Sequence, residues 1–132
     1  RISDYTRQGG NLMLSGSYLG SILPANLAQN TLKFTHGGSM YGVTTGQVFG
    51  ANTTLSFPTQ VNEKSYAVPA PDCLLPTAGA YSTFVYTPGN YGAGIAYKGT
   101  DFRTFVLGFP FESIDNAQHR SRIMKAALDL FK

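Results

Sequence analysis

The stretch Asn11-Leu12-Met13-Leu14-Ser15, followed at once by Gly16-Ser17-Tyr18-Leu19-Gly20, constrains the fold of this chain more than any other. Its three apolar residues stand in succession. They do not alternate with polar ones, as a half-exposed strand would require. Continuous apolarity marks a strand covered on both faces, as in a parallel sheet. The Gly-x-x-x-Gly that follows reads as the turn of a strand–helix junction. In open α/β sheets the ligand crevice lies at the carboxyl ends of the strands. This turn is therefore the first place to seek chemistry.

Other elements follow from the same reasoning. Arg1 to Gln8 reads as the last turns of a helix, with Ile2 and Tyr5 on one face and Gly9-Gly10 as its stop. Ala25 to Phe34 reads as a helix or an irregular excursion. From Gly37 to Tyr97 the chain becomes rich in Gly, Thr, Pro, Asn and Tyr. Segments 43–49, 53–57, 65–68, 80–86 and 92–97 read as short strands, with a hairpin turn at Thr87-Pro88-Gly89-Asn90. Phe102 to Phe109 is a further apolar strand, ended by Pro110. Ser113 to Asn116 leads into a helix that sets Ile123, Met124, Ala127, Leu128 and Phe131 on one face. The expected core gathers Leu12, Leu14, Phe105, Leu107, Ile123, Ala127 and Leu128.

The expected fold is α/β, in a single domain over residues 1–132. It is a small, mostly parallel sheet flanked by helices, with a β-rich insertion in the middle. The chain begins at Arg1, within a helical pattern, so it is read as the C-terminal part of a larger protein. Further strands before Arg1 would complete the sheet. A sheet edge left open by them predicts association with other domains of the parent chain, or self-association.

Composition removes several functions. An apolar fraction of 42% suffices for one core. The net charge of +3 comes from scattered basic residues, and the dense group Arg120, Arg122, Lys125 and Lys132 lies on or beside the last helix. Cations there complement the helix dipole. Without a basic stripe interleaved with aromatics, no nucleic-acid surface is expected. No apolar run is long enough for a membrane span. The single cysteine, Cys73, excludes an internal disulfide and a cysteine metal cage. The two histidines, His36 and His119, lack metal-ligand spacing. Neither a metal nor a cofactor is expected.

Two phrases carry a family likeness. Gly9-Gly10-Asn11-Leu12-Met13-Leu14-Ser15-Gly16-Ser17-Tyr18-Leu19-Gly20 resembles the approach to the nucleophile elbow of class I glutamine amidotransferase-like domains. Those carry Gly-x-Cys-x-Gly, so Tyr18 falls where the Cys would stand. Gly108-Phe109-Pro110-Phe111-Glu112-Ser113 resembles their Gln-Phe-His-Pro-Glu-Ser stretch. There Pro110 replaces the His and Glu112 matches the Glu. Together the phrases resemble the C-terminal domain of large secreted Bacteroidetes proteins labelled xanthan lyase-like. The resemblance implies an incomplete amidotransferase-like fragment with a degenerate active site. It also implies a secreted, periplasmic or cell-surface location.

A tyrosine phenol, with a pKa of about 10, is a poor acyl nucleophile at neutral pH, and proline cannot act as a base. Ser15 and Ser17 flank Gly16 without standing at the centre of a Gly-x-Ser-x-Gly frame. Glu112 is a carboxylate at the end of a buried strand, or a structural group at a helix start. A glycosidase using Glu112 would need a second acid, with Asp72 and Asp101 as candidates. Tyr81, Tyr86, Tyr91 and Tyr97 offer stacking faces for carbohydrate, or ordinary sheet packing. The leading expectation is a non-catalytic accessory or interaction domain linked to polysaccharide processing. Its rival is a hydrolase or lyase using Glu112 with Ser17 or Tyr18 in the crevice.

Overall fold

The first helix, α1 (Ile2–Arg7), ends at the glycine stop read from the sequence. Gly9 adopts φ 92. Its N–H donates to the Thr6 carbonyl at 2.9 Å, and the Gly10 N–H donates to the Tyr5 carbonyl at 3.0 Å. That pair of bonds satisfies two helix-end carbonyls and turns the chain into the next strand. These features belong to a computed structural model that describes residues 1–39, 45–50, 53–58, 70–87, 91–114 and 116–132.

Eight strands are described: β1 (Asn11–Ser15), β2 (Phe34–Ser39), β3 (Thr45–Gly50), β4 (Thr53–Pro58), β5 (Asp72–Pro76), β6 (Ala80–Thr87), β7 (Tyr91–Lys98) and β8 (Arg103–Leu107). Six form one sheet in the order β1-β8-β7-β6-β3-β4, and β2 pairs with β5 in a second. The expected mostly parallel sheet is corrected here. Only β1 and β8 run parallel among the described ladders. The pairs β3–β4, β3–β6, β6–β7 and β7–β8 are antiparallel. Connections such as 99–102, between β7 and β8, are too short for a crossover, so the chain can only return antiparallel.

Between β1 and β2 lie α2 (Leu19–Ile22) and α3 (Ala25–Leu27), which continues as a π-helical turn over Ala28–Leu32. The last helix is α4 (Ala117–Leu130). The Asn116 side chain caps it, accepting from the Gln118 and His119 amides at 2.9 and 3.1 Å. At its far end, Arg103 donates to the Leu130 and Lys132 carbonyls. A guanidinium there complements the negative end of the helix dipole.

The sheet has a core on each face. Under α4, Phe84, Tyr86, Phe105, Leu107, Ile123 and Ala127 pack together, with Met13 beside them. On the other face, Ile95 and Val106 meet Leu19, Leu32, Phe34 and Leu74, with Leu12 and Leu14 beside them. The alternation of side chains along a strand explains why neighbours part company. Leu12 and Leu14 face one layer, and Met13 the other. Of the expected core, Leu128 is corrected: it is 53% exposed. It stands five residues beyond Ile123, about 140° around the helix from that buried position.

The short strands read at 43–49, 53–57, 80–86 and 92–97 are present with shifted ends. The segment 65–68 and the hairpin tip 88–90 lie outside the described residues. The strands β2 and β5 were not expected. Both lie in or beside glycine- and proline-containing sequence, and pairing across the second sheet outweighs that local preference.

Candidate functional site

The strand–turn–helix junction at the end of β1 is a sharp one. Tyr18 sits at φ 64, ψ 16, a left-handed conformation that few non-glycine residues adopt. Its carbonyl accepts from the Ser21 and Ile22 amides, both at 3.1 Å, which starts α2. The Gly16 N–H donates to the Leu107 carbonyl at 3.3 Å. The Ser15 hydroxyl accepts from the Phe111 N–H at 3.2 Å. The turn is thus tied to the residues that follow β8, and Ser15 is a structural link there.

Beside this turn lies Asp72, the first residue of β5, with no solvent exposure. Its Oδ2 accepts from the Gly20 N–H at 3.3 Å. Its Oδ1 has no hydrogen-bond partner but lies 3.6 Å from the His36 Nε2. The main chain of Asp72 is clamped as well. Its N–H donates to the Gly108 carbonyl at 2.7 Å, and its carbonyl accepts from the Tyr86 hydroxyl at 2.8 Å. Burial pushes the Asp72 carboxyl above its ordinary value of 3.8. The Gly20 amide, His36 and the Leu19 and Tyr18 amides pull it partly back.

Two glycines make this arrangement possible. A Cβ on Gly20 would strike the His36 ring, and one on Gly108 would strike the Asp72 carbonyl oxygen. The second contact is with main chain, so no side chain can swing aside to relieve it. Gly108→Ala should therefore cost about 1–3 kcal/mol in urea unfolding, the range for overpacking. A loss below half of that would show that β5 can shift.

The structure gathers some of the expected site residues and scatters others. Ser17 and Tyr18 stand at the turn, half-buried and 38% exposed. Glu112 is exposed in the short 3-10 turn Phe111–Ser113, whose first residue donates its N–H to the Ser15 hydroxyl. Asp101 precedes β8, whereas Glu112 follows it. The five-residue strand between them spans roughly 16 Å. That exceeds the range of paired glycosidase carboxylates, about 5–9.5 Å. Asp101 is thus no partner for Glu112, and it instead accepts from the Phe102 N–H.

His36 lies on β2, and His119 is half-buried on α4. Cys73 is buried. Tyr86 is a core residue, while Tyr81 and Tyr91 are about half exposed. Sequence reasoning ranked Asp72 only as a spare second acid. The one signal for it was a carboxylate inside the otherwise uncharged run Pro71-Asp72-Cys73-Leu74. Nothing in the sequence joined His36 to Asp72.

Two of the clefts have volumes of about 330 Å³. One opens between β6 and α4, around Tyr81, Phe84, Phe105, Ala126 and Leu130. The other lies between α1 and the helical segment of Asn26 to Thr31. Neither is lined by Glu112, Tyr18 or Ser17, and neither holds a carboxylate. No described helix is long and apolar enough to cross a membrane.

No family model matches the chain, and no curated protein matches it. Solved structures do. An exo-β-1,4-mannosidase from Opitutaceae bacterium strain TAV5 aligns with TM-score 0.61 and 10% identity, over 97% of this chain and 21% of its own. A GH42 β-galactosidase from G. stearothermophilus aligns with TM-score 0.62 and 12% identity, over 98% and 19%. A β-galactosidase from Rahnella sp. R3 gives 0.58 and 16%, over 97% and 19%. The chain shares their fold and spans about a fifth of their length. This corrects the family drawn from the two sequence phrases. The structures found are glycosidases, not glutamine amidotransferase-like or xanthan lyase-like domains. The Bacteroidetes and secreted attributions came with that resemblance and find no support in these neighbours.

Proposed function

We propose that this chain is one domain of a larger glycoside hydrolase acting on β-linked hexosides, and that it supports the reaction without supplying the acid–base pair. The observation behind this reading is the alignment of nearly the whole chain with about a fifth of a β-mannosidase and of two β-galactosidases. The described carboxylates favour the supporting role. Asp72 is buried against the Gly20 amide and His36, and Asp101 precedes β8 and accepts from the Phe102 N–H.

A second reading keeps Glu112 as an acid, with Ser17 or Tyr18 beside it. Its support is the exposure of Glu112 next to the β1 turn, at the strand ends where α/β folds bind ligands.

One experiment separates the two. The full-length polypeptide should release nitrophenol from an aryl β-galactoside or an aryl β-mannoside. Glu112→Gln in that polypeptide should keep kcat within about twofold. A fall of about 100-fold or more, the usual effect of losing a general acid, would move the chemistry to Glu112. No hydrolysis of either glycoside by the unaltered protein would sink the proposal.

A further inference from the structure

β1 stands at one edge of the six-stranded sheet, with β8 as its neighbour among the described strands. Yet it is built as an interior strand. Leu12, Met13 and Leu14 are consecutive, and no charge, proline or bulge guards the edge. Exposed edges normally carry such guards, because a bare ladder of N–H and C=O groups pairs with any strand it meets. The opposite edge, β4, carries one such guard, Pro58 at its end. Parallel pairs such as β1–β8 are ordinarily covered on both sides. Here Leu12 and Leu14 on one face, and Met13 on the other, are each only half-buried against their core.

The ladder shows which groups are free to dock. The Gly16 N–H points to β8, onto the Leu107 carbonyl. By the two-residue alternation of a strand, the Leu12 and Leu14 amides share that direction. The Met13 and Ser15 amides point away from β8, toward the open edge.

We propose that this edge receives an apolar strand from the same polypeptide, contributed by sequence outside these 132 residues. The solved structures that share the fold leave ample chain for it, since this domain spans only 19–21% of them. The inference rests on the edge and on that span, and does not depend on which bond the protein cleaves.

Residue-resolved hydrogen exchange on the full-length polypeptide tests it. The Met13 and Ser15 amides should exchange at least about a hundredfold more slowly than in an unstructured peptide, as ladder amides do. Their protection should be equal at two protein concentrations tenfold apart. Exchange of Met13 and Ser15 at the free-peptide rate, with Leu12 and Leu14 still protected, would overturn the proposal. Protection that rises with concentration would also overturn it, by assigning the edge to a second copy. Glycosidase assays on the same sample keep this outcome separate from that of the functional reading.

Discussion

Phe105→Ala should lower the stability of the chain by about 3–5 kcal/mol, the range for truncating a buried aromatic. Phe105 is 2% exposed and sits in the middle of β8. Its ring meets Phe84 edge to face, with centroids 5.9 Å apart. Met13 of β1 and Ala96 of β7 are its register partners. The side chain therefore belongs at once to the sheet and to the layer under α4. It also forms part of the wall of the cleft between β6 and α4. Truncation would join a new void to that cleft, so the surroundings have little means of collapse, and the loss should fall toward the upper end. Thermal unfolding should show a midpoint lower by roughly 10–20 °C. A shift worth less than 1 kcal/mol would mean that α4 is not held by this core.

Asp72 gives the second large effect, and a contrast between two substitutions. Asp72→Ala removes the acceptor of the Gly20 amide and leaves buried donors at the start of α2 unpaired. The expected loss is about 2–3 kcal/mol. Asp72→Asn keeps an acceptor oxygen and removes only the charge. Because burial raises the Asp72 pKa above 3.8, the folded chain holds that proton more tightly than the unfolded chain does. Its contribution to stability is complete below the unfolded value and is lost as pH rises through the folded pKa. The Asn variant has no such loss. It should match or exceed the parent at pH 7, and the difference should grow as pH rises from about 4. Chemical denaturation at a series of pH values reads this directly. A variant less stable at pH 7 than at pH 4, relative to the parent, would show that the ionised carboxylate is favoured by His36 more than burial opposes it.

Much of the local architecture was legible in the chain. The Gly9-Gly10 stop, the strand Asn11–Ser15, the sharp turn after it and the amphipathic α4 all follow from local patterns. Each depends on neighbours a few residues apart, where glycine freedom, apolar runs and helical spacing act directly. The site was less legible. Asp72 lies 52 residues from Gly20 and 36 from His36 in the chain, and no local pattern records that meeting. The family likeness failed for a related reason: two short phrases describe a turn and a strand end, which unrelated sites can share.

The sequence by itself determined where the chain turns and which residues are apolar enough to bury, because those depend on each residue's own chemistry. The tertiary structure alone decided the rest. It set the strand order β1-β8-β7-β6-β3-β4 and laid β8 antiparallel against β7. It turned Leu128 outward, through the rotation of α4 on the sheet. It sealed the carboxylate of Asp72 beneath the β1 turn, against Gly20 and His36. These outcomes arise from packing between distant segments, whose energies exist only once the layers have met.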